Sequence, residues 1–246
     1  MKLSKQYDVF HNRSKKQKRV IDSNNFTYRK IIHNINSSIN KKNKLLDYGC
    51  GVGTLTYYFS RIFKESTGVD VSEKAISIAK ESVSDVDQSK STIKFLTVKN
   101  FKIKANKNKY DLIICSEVIE HVSNDRELIK KIFMYLKKGG MLFLSTPSSQ
   151  APLFRMGLLK KFDARVGHLR RYSQINLVNL IESEKFQIKK IIKTEGLLRN
   201  SLYTMKPLGF IVRFIKGPLI KIITVVDDYL AYVFGESDIQ IIAQKP

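Results

Sequence analysis

The sequence is short of cysteine, of long apolar runs and of acids. Its two cysteines, Cys50 and Cys115, each lie inside or beside a predicted strand end. Neither a disulfide framework nor a zinc site can be assembled from them, and both are expected to be reduced. No run of about eighteen uncharged apolar residues is present, which argues against a membrane-spanning helix. The opening Met1-Lys2-Leu3-Ser4-Lys5 lacks the apolar stretch of a secretory signal, so the expected compartment is the cytosol. There is no internal repeat and no low-complexity linker. A hydrophobic content of 43% in 246 residues is enough for one sizeable core, which favours a single domain with appendages.

The acid shortage leaves a net charge of +22, unevenly spread. Residues 1–44 hold twelve Lys and Arg against Asp8 and Asp22, whereas residues 45–150 hold sixteen against twelve acids. Residues 151–172 add six basic groups against Asp163 alone. The excess sits mostly outside the central segment and predicts a positive field around a cleft, suited to an anionic partner.

What is present begins with Leu45-Leu46-Asp47-Tyr48-Gly49-Cys50-Gly51-Val52-Gly53, an apolar strand breaking into a glycine-rich turn that opens a helix. Such a turn lets backbone approach a nucleoside closely. Asp70, seventeen residues past Gly53, closes a second short apolar run. A doubly wound sheet places a ribose-binding carboxylate there. Together these predict an adenosyl ligand.

The rest of the chain supports that frame. A helical stretch is expected around residues 26–32, a strand near Lys44 to Tyr48, a helix from Val52 to Phe63 and a strand from Thr67 to Asp70. Ser72 suits the N-cap of a helix carrying Ile76, Ala79 and Val83. Ile93 to Val98 reads as a third strand and Tyr110 to Cys115 as a fourth, whose unbroken apolar character implies a sheet covered on both faces. Asn124, with Glu127 three residues on, caps a helix expected to run to Lys137 and stop at Gly139-Gly140, before a strand from Met141 to Ser145. Ser173 caps a helix to Glu184, and two closing strands are expected at Phe186–Thr194 and Ile239–Ala243. Between them the apolar insert 196–235 carries Arg213, Lys216, Lys221, Asp227 and Asp228, charges expected at the polar edge of an amphipathic helix pair. The alternation predicts an α/β fold with a mostly parallel sheet and right-handed crossovers.

These residues resemble the Rossmann-like (class I) S-adenosylmethionine-dependent methyltransferases over roughly residues 40–195 plus the last strand. The resemblance implies a doubly wound, seven-stranded sheet with helices on both faces and a helical cap. It divides the chain into a basic arm (1–43), a cofactor core (44–150), a substrate segment (151–195), the apolar insert (196–235) and a last strand (236–246). It implies S-adenosylmethionine as cofactor, held by Asp47, Gly49, Cys50, Gly51 and Gly53 around the methionine and adenosine, and by Asp70 with Val71 at the ribose. The run Ser116-Glu117-Val118-Ile119-Glu120-His121-Val122 resembles the segment beneath the sulfonium, which adds Ser116 and Glu117. Relatives often place an Asp after the third strand for the adenine amino group. This chain has Val98-Lys99-Asn100 there, and Asn100 is the candidate. Gly167-His168-Leu169-Arg170-Arg171-Tyr172-Ser173 resembles a segment of the branch acting on small molecules, lipids or cell-surface glycans.

Methyl transfer from a sulfonium is an in-line displacement that needs alignment and dryness, so no metal is expected. A hydroxyl acceptor would lose its proton to a neutral imidazole. His168 is the favoured base, and His121 is the other candidate, with a structural role as its alternative. Arg170, Arg171 and Tyr172 are the substrate-binding candidates. Planar guanidiniums suit phosphate or carboxylate, and their alternative is pairing with surface acids. The resulting expectation is methylation of an oxygen on a small-molecule, glycan or lipid-linked acceptor, anionic and met at the inner membrane surface. An RNA methyltransferase is the second reading, favoured by the basic arm but lacking an Asn-Pro-Pro-Tyr-type motif after the fourth strand. A non-catalytic S-adenosylmethionine-binding module is the third, and a hydride-transferring dehydrogenase fits the glycine spacing less well.

Overall fold

A computed structural model of the protein describes residues 7, 8, 11, 14, 20–39, 42–83, 92–205, 208, 215 and 217–246. Seventeen of the 43 residues of the expected basic arm, its opening six included, lie outside these, as do Arg213 and Lys216 of the insert. The strands are β1 (Lys44–Tyr48), β2 (Glu65–Asp70), β3 (Thr92–Thr97), β4 (Tyr110–Ser116), β5 (Leu136–Pro147), β6 (Gln187–Thr194) and β7 (Asp238–Gln244). They form one sheet in the order β3-β2-β1-β4-β5-β7-β6. The first five are parallel, and β7 runs antiparallel to both β5 and β6.

The apolar strands are continuous because successive side chains serve opposite faces. Leu46, Ile113, Leu142, Leu144 and Ile241 face one core, with helices α5 (Asp125–Tyr135) and α8 (Gln174–Ser183) packed on it. Their strand neighbours Leu45, Leu112, Ile114, Phe143 and Ile242 face the other. There they meet α1 (Arg29–Asn36) and α2 (Thr54–Ser60). Helix α3 (Glu73–Val83) covers β2 and β3 through Ile76 and Ala79 against Phe95. The short α4 (Ile103–Asn106), α6 (Pro152–Arg155) and α7 (Lys160–Val166) lie in connections.

The three side-chain caps read from sequence are made. Ser72 Oγ accepts from Ala75 N, Asn124 Oδ1 from Glu127 N and Ser173 Oγ from Asn176 N, each worth about 1 kcal/mol. Two boundaries differ. Helix α2 starts at Thr54 and ends at Ser60, and the chain turns through residues 61–63 instead of continuing the helix to Phe63. Helix α5 stops at Tyr135 because Leu136 already pairs with Tyr110, so the Gly139-Gly140 pair sits inside β5. The pairing with β4 shifts register there, Gly139 takes φ +74, and a Cβ on Gly140 would lie 2.9 Å from Lys137 O. These glycines serve a strand irregularity.

The insert forms the helix pair α9 (Leu197–Thr204) and α10 (Pro218–Phe234), in which Lys221 and Asp228 are exposed but Asp227 departs from the expected polarity. Its buried residues are Thr224 and Asp227. Thr224 Oγ1 accepts from Arg29 Nη1, and Lys30 pairs with Asp228. Asp227 caps α9 by accepting from Gly196 N and Arg199 N. Ile220 and Ile223 pack against Phe26, Leu202 and Ile215, while a second apolar face points outward, with Val225 69%, Tyr229 67% and Tyr232 89% exposed. Asp227 therefore sits inside the fold and not at a solvated edge, because the α9 N-terminus supplies the N–H groups that neutralise it.

Candidate active site

Strand order reverses between β1 and β4, and a cavity of about 660 Å³ opens at the carboxyl ends of the strands. This is the crevice in which open α/β sheets bind ligands, and its size is that of a small-molecule site. Its floor is the loop after β1. Gly49, Gly51 and Gly53 take φ +83, +53 and +84, left-handed conformations that favour glycine. A Cβ on Gly49 would lie 2.2 Å from Val118 Cγ2 and one on Gly53 2.7 Å from the Phe95 ring, whereas one on Gly51 would meet His11 at 3.6 Å. Gly49 and Gly53 thus let the loop press on its neighbours, and Gly49 and Gly51 line the cavity. Val69 O accepts from Gly49 N and Cys50 N, and Asp70 Oδ2 accepts from Gly51 N at 2.9 Å. Asp70 Oδ1 accepts from Ser72 N, leaving each oxygen a further lone pair. Asp47 is buried beneath the loop, with its Oδ2 accepting from Thr56 at 2.6 Å. Burial raises its carboxyl to about 7. Burial, then Asp47 and Asp70, push the Cys50 thiol well above its ordinary value.

Ionisable groups converge across the cavity. His168 Nδ1 donates to Asp163 Oδ1 at 2.8 Å. Asp163 is held from the other side by Arg171, through Nε to Oδ2 at 3.0 Å and Nη2 to Oδ1 at 2.7 Å. Burial alone would raise Asp163, but the His168 and Arg171 hydrogen bonds outweigh it and hold the carboxyl below its usual range. His121 Nδ1 donates to Gly167 O at 3.0 Å, its ring 4.9 Å from that of His168, and burial lowers its pKa. Beneath both rings lies the wholly buried Glu120, whose Oε1 is 3.7 Å from His121 Nε2 and 3.9 Å from His168 Nε2. Burial raises its carboxyl to about 8. Ligand atoms of Glu120, His121 and His168 lie within 4.8 Å of one another, a donor set able to hold a divalent cation. The sequence reading, which looked for cysteines, did not anticipate it. Glu117 takes φ +56 and accepts from Ser145 Oγ, which in turn contacts Ser116 Oγ. Desolvation and repulsion from Glu120 raise its carboxyl.

Of the residues singled out from sequence, Asp47, Gly49, Cys50, Gly51, Asp70, Val71, Ser116, Glu117, His121, His168 and Arg171 line the cavity together. Gly53, Asn100, Arg170 and Tyr172 do not. Gly53 is the N-cap of α2. Asn100 ends an exposed turn, and its neighbour Val98 reaches the cavity instead. Arg170 Nη1 and Tyr172 OH both donate to Asp125 Oδ2 on the far side of the segment. The expected anion-binding pair is therefore already paired, Arg170 with Asp125 and Arg171 with Asp163, which is the alternative of pairing with acids. Sequence reasoning also missed Tyr7, whose ring meets His121 edge-on, and the far wall with Glu195, Arg199, Asn200 and Asp238. The Glu195-Arg199 spacing, one helical turn, was the available signal.

Residues 21–190 match the model of a methyltransferase domain. A ubiquinone biosynthesis O-methyltransferase of Nitrosomonas europaea is 33% identical over 106 residues, 42% of this chain and 43% of that protein. A mitochondrial protein of the same name from Arabidopsis thaliana is 36% identical over 103 residues, 42% of this chain and 32% of that one. The chain thus spans less than half the length of the curated relatives it matches. Among solved structures, an S-adenosylmethionine-dependent methyltransferase of Thermotoga maritima, described as a possible histamine N-methyltransferase, superposes with a TM-score of 0.65 at 16% identity. That match covers 99% of this chain and all of the other. The [4+2]-cyclase SpnF shares the fold at 0.57 and 20% identity, over 85% of this chain and 76% of its own. Fold alone does not decide the reaction.

Proposed function

Because the chain belongs to the S-adenosylmethionine-dependent methyltransferase family, we propose that it transfers a methyl group from S-adenosylmethionine to an oxygen of a small-molecule acceptor. The observation that carries this reading is the Asp163-held His168 set over the glycine cradle in one cavity. S-adenosylmethionine supplies a methyl carbon activated by its sulfonium. The chain's part is to hold, align and keep dry. Gly51 admits backbone to the nucleoside, Asp70 offers its remaining lone pairs to ribose hydroxyls, and Asp47, Cys50, Val71, Ser116 and Glu117 complete that end.

Since His168 Nδ1–H donates to Asp163, the imidazole keeps a lone pair on Nε2, where it accepts the proton of an acceptor hydroxyl. Glu120, its carboxyl raised by burial, lies 3.9 Å from that Nε2 and forms the buried floor beneath the imidazole. His121, tied to Gly167 O, braces the 167–172 segment as a positioning residue.

The outward apolar face of α10, on a chain of net charge +22, supports delivery of a glycan or lipid-linked acceptor at an anionic lipid surface. Among the described residues no helix is long and apolar enough to cross a membrane. Replacing Val225, Tyr229 and Tyr232 by Ser is expected to abolish flotation with anionic liposomes, and unchanged flotation removes the lipid clause.

Calorimetry with S-adenosylmethionine and S-adenosylhomocysteine, followed by transfer of labelled methyl into fractionated extract, tests the whole reading. Tight cofactor binding with no labelled product in any fraction would mark a binding module. Label in RNA would mark the alternative acceptor.

A further inference from the structure

The end of the cavity opposite the cofactor cradle is closed by the β6–α9 junction and the start of β7. Four buried residues of this wall carry side-chain atoms with no hydrogen-bond partner in the protein: Arg199 Nε and Nη1, Asn200 Oδ1, Ser237 Oγ and Asp238 Oδ1. They are 1%, 6%, 3% and 7% exposed, and all four line the cavity. Among the described residues, Ser66 and Glu120 alone share this property, and neither lines it. Buried polar groups are almost always paired, so such a concentration marks a place completed by a bound group.

The wall is preorganised. Arg199 Nη2 donates to Glu195 Oε1, Phe26 O and Tyr203 Oη, and its plane lies over the rings of Phe26 and Tyr203 at 5.0 and 5.7 Å. Asp238 Oδ2 accepts from Thr194 and Gln240, and its carboxyl also meets that of Glu117, so Arg199, Asn200 and Ser237 present the groups left for the ligand.

The unsatisfied atoms are of both kinds. Arg199 only donates, Asn200 Oδ1 accepts, and the Ser237 hydroxyl does either. An ammonium group would only donate and would meet Arg199. A carboxylate or phosphate would only accept and would meet Asp238, Glu195 and Glu117. A neutral hydroxyl donates and accepts without charge.

We propose that this wall is the acceptor subsite and that it selects an uncharged ring bearing two or more hydroxyls, either a sugar or a hydroxylated aromatic. The proposal rests on the methyl-transfer reading and specifies its acceptor. Burial raises the carboxyls of Asp238 and Glu195, which disposes the wall to share protons with hydroxyls.

The test titrates the full chain, saturated with S-adenosylhomocysteine, with two matched probe series followed by ligand-observed NMR. One series is methyl glucoside with its amino and uronic acid analogues. The other is dihydroxybenzene with its aminomethyl and carboxylate derivatives. In at least one series the neutral member is expected to bind about tenfold more tightly than both charged relatives, about 1.4 kcal/mol, and that series identifies the ring. A charged member that matches its neutral counterpart in both series, or no neutral binding at millimolar concentration, overturns the proposal. Asn200→Leu and, with a smaller change in the core, Ser237→Ala should each weaken the neutral probe several-fold while S-adenosylhomocysteine affinity holds. Undiminished probe affinity in Ser237→Ala, and in Asn200→Leu where it folds, overturns it as well. Failure of the methyl-transfer reading would appear instead as absent S-adenosylhomocysteine binding in the parent protein.

Discussion

Gly49→Ala and Gly51→Ala change neighbouring glycines of the same loop, and the structure predicts very different outcomes. At Gly49 the added Cβ falls 2.2 Å from Val118 Cγ2, against 3.4 Å or more in ordinary contact. The φ of +83 imposes a further strain of about 1–2 kcal/mol on an L residue. Val118 stands between Glu117 and the turn carrying Glu120 and His121, so it cannot retreat without moving those groups. Overpacking of this kind costs about 1–3 kcal/mol, which brings the expected loss to about 2–5 kcal/mol. Part of it should appear as lower stability and part as weaker cofactor binding, since the loop is the cradle. At Gly51 the nearest atom is His11 Cε1 at 3.6 Å, so only the backbone term remains, about 1 kcal/mol at φ +53. Calorimetric titration with S-adenosylhomocysteine and chemical denaturation of both variants read these terms separately. The double variant Gly49→Ala with Val118→Ala should recover the steric part and leave the backbone part. Equal losses in the two single variants, or no recovery in the double variant, would refute the argument from contact geometry.

Asp163→Asn should lower turnover about 10²–10⁴-fold by presenting an amide N–H to His168 Nδ1 and moving the ring proton to Nε2. Cofactor affinity should stay unchanged, and a turnover within twofold of the parent would exclude His168 as the base. Glu120 carries a folded-state pKa of about 8 against 4.5 unfolded. The folded state therefore binds the extra proton, and the stability this contributes is complete below about pH 4.5 and lost as pH rises to about 8. Thermal unfolding should accordingly show a decline across that window which Glu120→Gln flattens, and identical slopes would contradict the assignment. Arg171→Gln breaks a nearly buried pair and should cost about 3–5 kcal/mol on denaturation, whereas Arg170→Gln at a one-third exposed pair should cost about 1 kcal/mol or less. If instead either change raised the acceptor KM without altering stability, an anion-recognition role would be restored.

Local signals carried much of the fold. The caps at Ser72, Asn124 and Ser173 were legible because each reaches only three residues ahead. The cradle and Asp70 were legible because adjacent parallel strands set them side by side, Asp47 opposite Gly68 and Tyr48 opposite Val69. The reading weakened wherever a partner came from far along the chain. For Arg170 and Arg171 the sequence left anion binding and pairing with acids both open, because it could not show Asp125, 45 residues away, or Asp163, 8 residues away, turned toward them. Helix α10 looked like a helix with a solvated charged edge because its pattern cannot say which face meets Arg29 and the start of α9.

By itself, the sequence determined the alternation of strands and helices, the glycine turn and the acid that follows it. Backbone freedom, hydrophobic periodicity and short-range capping are properties of neighbouring residues. Tertiary structure decided which charges are already spent and which polar atoms remain unsatisfied. The antiparallel pairing that sets Thr194 opposite Asp238 brings the two ends of the far wall together. Whether a buried carboxyl keeps its proton, or an arginine faces an acid or a ligand, depends on desolvation and on groups supplied by distant segments.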